Sequence, residues 1–99
     1  MIITHEKEEN KGRFVVSVDG KEAGYLKYEI LPNGNLKANG TLVYEEFCEL
    51  KLGKPLFDAF ILYVKEKDLK VFPTCPYIVA MFKKYPELSN LLDPDYQNT

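Results

Sequence analysis

Ninety-nine residues is the usual size of one domain, and 45% apolar with 13% aromatic residues is enough to close one core without disulfide or metal staples. A net charge of -2, with Lys and Glu interspersed, supplies no basic face for phosphates and speaks against a nucleic-acid partner. No apolar run is long enough to span a bilayer, and residues 5–13 are polar rather than leader-like, so the expected setting is the cytoplasm, without membrane.

The first ten residues are polar, with a short strand expected only around Ile2 and Ile3. Phe14 to Val18 alternates, with Phe14, Val16 and Val18 on one face. Asp19-Gly20 is a hairpin turn signal, because Gly tolerates positive φ. Glu22 to Leu31 reads as the next strand, and Pro32-Asn33-Gly34 as the next turn. Leu36 to Tyr44 is a further strand, expected to carry Leu36, Ala38, Gly40 and Leu42 on one face.

The period then changes. Leu52, Leu56, Phe60 and Val64 recur every four residues, with Ala59 and Tyr63 beside them, which is a helical stripe. Pro55 is tolerated only in a first turn, so the helix is expected from about Lys54 to Lys67. Leu69 to Thr74 reads as a short strand. A helix from Pro76 to about Lys84 follows, and Pro86 stops it. Glu87 to Leu92 is expected to add one turn. The strand–helix–strand segment over residues 36–74 is long enough for a right-handed crossover between parallel strands. The expectation is one α+β domain over residues 1–99, with 1–11 and 93–99 as loose ends. Its mixed sheet would have four to five strands and carry two main helices.

Cys75 stands where a strand gives way to a helix that begins at Pro76. The positive end of a helix dipole stabilises a thiolate there, and a thiolate can attack a thioester. The alternative is a buried cysteine that packs as a small hydrophobe. Cys48 falls in a loop and reads as incidental. The lone His5 reads as surface, and with no CxxC pair the chain offers no metal site. Glu45, Glu46 and Glu49 read as a solvated acidic patch.

Gly40-Thr41-Leu42-Val43, the helix Leu56 to Lys67, and Leu69-Lys70-Val71-Phe72-Pro73-Thr74-Cys75-Pro76-Tyr77 resemble the short, single-domain GNAT-like N-acetyltransferases. Tyr85-Pro86-Glu87-Leu88 and Leu91-Leu92 match the ending of that pattern, and the likeness runs over about residues 13–92. The resemblance implies a GNAT-like fold and an acetyl-CoA-dependent N-acetyltransferase of minimal size. Acetyl-CoA would be the cofactor and an unidentified amine the acceptor. It places Cys75 at the acetyl end as the catalytic candidate. It places Val43, through its main chain, beside the acetyl carbonyl, and Tyr77 in the cofactor cleft. Leu52, Gly53 and Lys54 fall at the phosphate seat, where free N–H groups at a helix start suit an anion. The family's glycine-rich run falls here on Cys48, Glu49, Leu50, Lys51, Leu52 and Gly53, of which only Gly53 is small. That departure leaves a second reading open: a module of the same fold that has lost tight CoA binding and meets a protein partner instead.

Overall fold

The computed structural model describes residues 1–97. Five strands form one sheet in sequential order: β1 (Ile2–Lys7), β2 (Lys11–Val18), β3 (Lys21–Ile30), β4 (Leu36–Val43) and β5 (Val71–Pro73). The first four make an antiparallel meander, and β5 joins β4 in parallel. Between β4 and β5 run a 3-10 helix (Glu45–Leu50) and the long helix α1 (Gly53–Glu66). After β5 come α2 (Pro76–Lys84), a second 3-10 helix (Pro86–Leu91) and a short α3 (Pro94–Gln97). This is the α+β mixed sheet with two main helices that the patterns predict.

Local chemistry accounts for the connections. Asp19 and Gly20 take φ of 51° and 82°, the double left-handed geometry that matches strand twist in a two-residue hairpin. At the end of α1, Asp68 is left-handed with φ 54°, and the Leu69 N–H returns to the Val64 carbonyl at 3.0 Å. That closes the helix as a glycine would, which an Asp side chain tolerates.

Helix α1 buries Leu56, Phe57, Phe60, Ile61 and Val64. Phe60 meets Phe14 and Tyr28 at ring-centroid distances of 6.0 and 5.9 Å, so α1 covers the face of the sheet that carries these residues. Phe57 meets Phe82 at 5.7 Å, which sets α2 beside α1.

Both ends expected to be loose carry structure. β1 pairs with β2 from Ile2↔Ser17 to Lys7↔Gly12. Its polar side chains are exposed on an edge strand while its backbone is paired, so composition conceals it. His5 is part of the reason it docks. Its ring stacks on Phe14 at 4.2 Å, and its Nε2 lies 2.6 Å from the Tyr28 hydroxyl. Burial, and then the neighbouring Lys7 charge, lower the His5 pKa from its ordinary value.

At the other end, Leu92 bridges Val71, and the Asp93 N–H donates to the Val71 carbonyl at 2.8 Å. Asp93 is buried, and its carboxylate accepts from Asn35 Nδ2 at 2.7 Å, Asn33 Nδ2 at 3.2 Å and the Asp95 N–H at 2.8 Å. Charge-assisted bonds of this kind offset the burial of a carboxylate. Residues 98–99 of the expected tail lie outside the described residues.

Candidate functional site

β4 and β5 stay together for only three pairs, Leu36↔Val71, Lys37↔Phe72 and Ala38↔Pro73. The fork begins at Ala38. Its carbonyl accepts from the Thr74 and Cys75 N–H groups at 3.0 and 3.1 Å. The chain then turns into α2 at Pro76, whose fixed φ suits a first helical turn. β4 meanwhile continues beside β3 to Val43, so a gap opens between the two.

A bulge decides which side chains enter that gap. Tyr28 faces Ala38 but Lys27 faces Gly40, leaving Asn39 as the extra residue. Beyond it the strand's faces exchange. Thr41 falls opposite the buried Leu26, and Val43 opposite Gly24. The expected stripe of Leu36, Ala38, Gly40 and Leu42 is therefore corrected to Leu36, Ala38, Thr41 and Val43. Leu42 is 43% exposed, as a residue on the uncovered face should be.

The cleft so formed has a volume of about 330 Å³. Val43, Leu52, Gly53 and Tyr77 line it, four residues drawn from β4, the entry to α1, and α2. Thr41, Lys51 and Cys48 complete the lining. Lys51 is left-handed, with φ 52°, and swings the chain from the 3-10 helix into α1. No side chain caps the start of α1, and Pro55 has no N–H to satisfy. The N–H groups of Gly53 and Lys54 thus belong to an uncapped first turn, where the helix dipole is positive.

Gly53 has a packing role. A Cβ there would lie 2.7 Å from Tyr77 Oη and 2.9 Å from its Cζ. The room left by the glycine is filled by the tyrosine's phenol. Burial raises the Tyr77 pKa, against an opposing effect of the nearby Lys54 charge. The hydroxyl is therefore protonated at neutral pH.

Two expected residues stand apart from the lining. Lys54 turns its ammonium to both carboxylate oxygens of Asp58, each at 2.8 Å, and over the Tyr85 ring at 5.2 Å. Cys75 is buried, with its thiol donating to Thr41 Oγ1 across 3.7 Å. Both Cys75 and Cys48 are free thiols. Among the described residues, no group of three His, Cys, Asp or Glu is placed to hold a metal ion. Among the described residues, no helix is long and apolar enough to cross a membrane.

Residues 13–91 match the family model of GCN5-related N-acetyl-transferases. The chain belongs to this family. Among curated proteins, none matches it significantly. Enzymes of the GNAT family generally take their acyl group from acetyl-CoA. The residues present fit the arm of such a donor better than its phosphates. Val43, Leu52 and the Tyr77 ring make a largely apolar slot, with the Thr41 hydroxyl and the Tyr77 phenol as its hydroxyls. The volume is near the lower end for ligand clefts. At the α1 end, the missing glycines leave the Lys51 ammonium and the uncapped first turn as the features suited to an anion.

Thr41, Lys51 and Cys48 were not among the residues picked from sequence. Gly40 inside a strand is the signal that could have found Thr41, because an isolated strand glycine marks a bulge. Nothing in the sequence marks Lys51 as left-handed.

Proposed function

We propose that the protein is an acetyl-CoA-dependent N-acetyltransferase in which an amine attacks the donor directly. The observation that carries this reading is the convergence of Thr41, Val43, Leu52, Gly53 and Tyr77 on one narrow cleft at the β4–β5 fork. When bound, acetyl-CoA supplies an activated thioester. Lys51 and the first-turn N–H groups of α1 would hold its phosphates, and Val43, Leu52 and Tyr77 its arm.

Tyr77 holds a proton on Oη through the neutral range, which is what a leaving thiolate requires. Cys75 suits a supporting role. Its thiol meets the Thr41 hydroxyl, which is no base, and Thr41 rather than Cys75 lines the cleft. Activated cysteine nucleophiles have a base within hydrogen-bond reach.

The test is steady-state acetyl transfer to a panel of primary amines. Tyr77→Phe should lower kcat on the order of 10²-fold with KM for the donor little changed. Cys75→Ala should retain transfer, and wild-type protein mixed with acetyl-CoA alone should gain no acetyl group by intact mass. An acetylated Cys75, or an inactive Cys75→Ala that still binds the donor, would replace direct attack with a covalent route.

A further inference from the structure

A second cleft, of about 530 Å³, lies on the face of the sheet that α1 leaves uncovered. Lys27 and Glu29 stand there two residues apart on β3, so both point to one side, opposite to the buried Leu26 and Tyr28. Asn39, the bulge residue of β4, faces the step between Lys27 and Tyr28. Three features of this group are unspent. Lys27 makes no ion pair with any described residue, and its stem lies so close to Gly40 that a Cβ there would sit 2.6 Å from Lys27 Cε. Glu29 reaches Lys37 only at 4.0 Å, between two half-exposed side chains. Asn39 Oδ1 is buried without a hydrogen-bond partner among the described residues. The neighbouring Arg13, by contrast, is already held by Glu6 at 2.8 Å and Glu22 at 3.2 Å.

Beside the paired Lys11 and Arg13 and the Lys7 at the rim, a β3 cation without an ion pair among the described residues, a weakly engaged carboxylate and a buried, unmet acceptor stand together, which is the complement of a zwitterion. We propose that this cleft binds a small α-amino acid, its carboxylate on Lys27 and its ammonium between Asn39 Oδ1 and Glu29. Buried acceptors are rarely left unmet, so the Asn39 carbonyl oxygen supplies the directional part of the recognition. Lys27 and Glu29 supply charge complementarity.

Position gives the site a use. Asn39 follows Ala38, whose carbonyl is the vertex of the β4–β5 fork. An amine held at Asn39 is one residue along β4 from that vertex and on the uncovered face, while Thr41 and Val43 of the first cleft face the helix-covered side. Resting on the acetyl-transfer reading above, the bound amino acid is the acceptor. The N–C bond forms and the C–S bond breaks. The ammonium gives up two protons, one ending on sulfur and one in solvent, with Glu29 placed to take the first.

The experiment is an amide-shift titration of the labelled protein, without any acyl donor, using L-alanine, L-alaninamide and propionate. L-Alanine should give saturable shifts at Lys27, Glu29, Asn39 and Gly40. The amide, which lacks the carboxylate, and propionate, which lacks the amine, should each bind about tenfold more weakly. Lys27→Met should erase the preference for alanine over alaninamide. Asn39→Leu should abolish binding while its thermal melt reports a folded protein. Equal affinity for alanine and alaninamide, unaltered binding by Lys27→Met, or shifts confined to another surface would overturn the proposal. Because no donor is present, failure here leaves the donor cleft standing, and failure of donor binding leaves the amino-acid result standing.

Discussion

The two halves of this sheet are built on opposite terms. In β1 to β3 the strands run paired along most of their length, and His5, Phe14, Tyr28, Phe60 and Tyr63 form one aromatic cluster beneath α1. At β4 and β5 the pairing stops after three residues, a bulge exchanges the faces of β4, and a cleft opens at the fork. On the proposed reading, the first half carries stability and the second the transfer chemistry. Among the described residues, an uncapped helix start and an unmet Asn39 oxygen lie in the second half. A polar group left unsatisfied costs stability, so such groups are sustained only where the remainder of the fold is secure.

The sharpest way to test that division is to damage each half and read both properties. Phe60 is fully buried between Phe14 and Tyr28. Phe60→Ala should cost about 3–5 kcal/mol in chemical denaturation, from lost burial and the cavity left behind. Wherever the variant remains folded, its donor affinity should stay near that of wild type.

Asp93→Ala should cost about 2–3 kcal/mol, because it strands the Asn33 and Asn35 amides and the Asp95 N–H. The pH dependence has a definite sign. The Asn35 hydrogen bond, followed by those of Asp95 and Asn33, lowers the Asp93 pKa, against the effect of burial. Its contribution is therefore complete above the unfolded pKa of roughly 3.9 and is lost as pH falls through the lower, folded value. Thermal melts of wild type from pH 6 to pH 3 should show that loss, and Asp93→Ala should show less of it.

Gly53→Ala should act mainly in the other half. The new methyl meets the Tyr77 hydroxyl, so the phenol must move out of the place it holds over the α1 start. The stability cost should be about 1–3 kcal/mol, typical of overpacking, and acetyl-CoA binding should weaken in calorimetry. Unchanged donor affinity with Tyr77 displaced would separate the phenol from the donor site.

The division also explains what was readable from sequence. Strand alternation, the Asp19-Gly20 turn and the four-residue stripe of α1 are local patterns, and the meander and helices follow from them. The Cys75–Tyr77 segment likewise sits where the strand-to-helix junction was expected. The bulge at Asn39 was not legible beyond the hint of Gly40, and it alone decides that Thr41 rather than Leu42 enters the cleft. The Lys54 ammonium was misplaced because an i, i+4 partner, Asp58, competes for it along the helix. Strand β1 and Asp93 depend on pairing with distant segments, which composition does not reveal.

The measurement that bears most directly on the central claim is an amide-shift titration with acetyl-CoA, with desulfo-CoA as the control. Saturable shifts at Thr41, Val43, Lys51 to Lys54 and Thr74 to Tyr77, with the β1–β2 amides unmoved, are the predicted result. No shifts at about millimolar acetyl-CoA, or shifts centred on the aromatic cluster beneath α1, would contradict the assignment of the fork as the donor site.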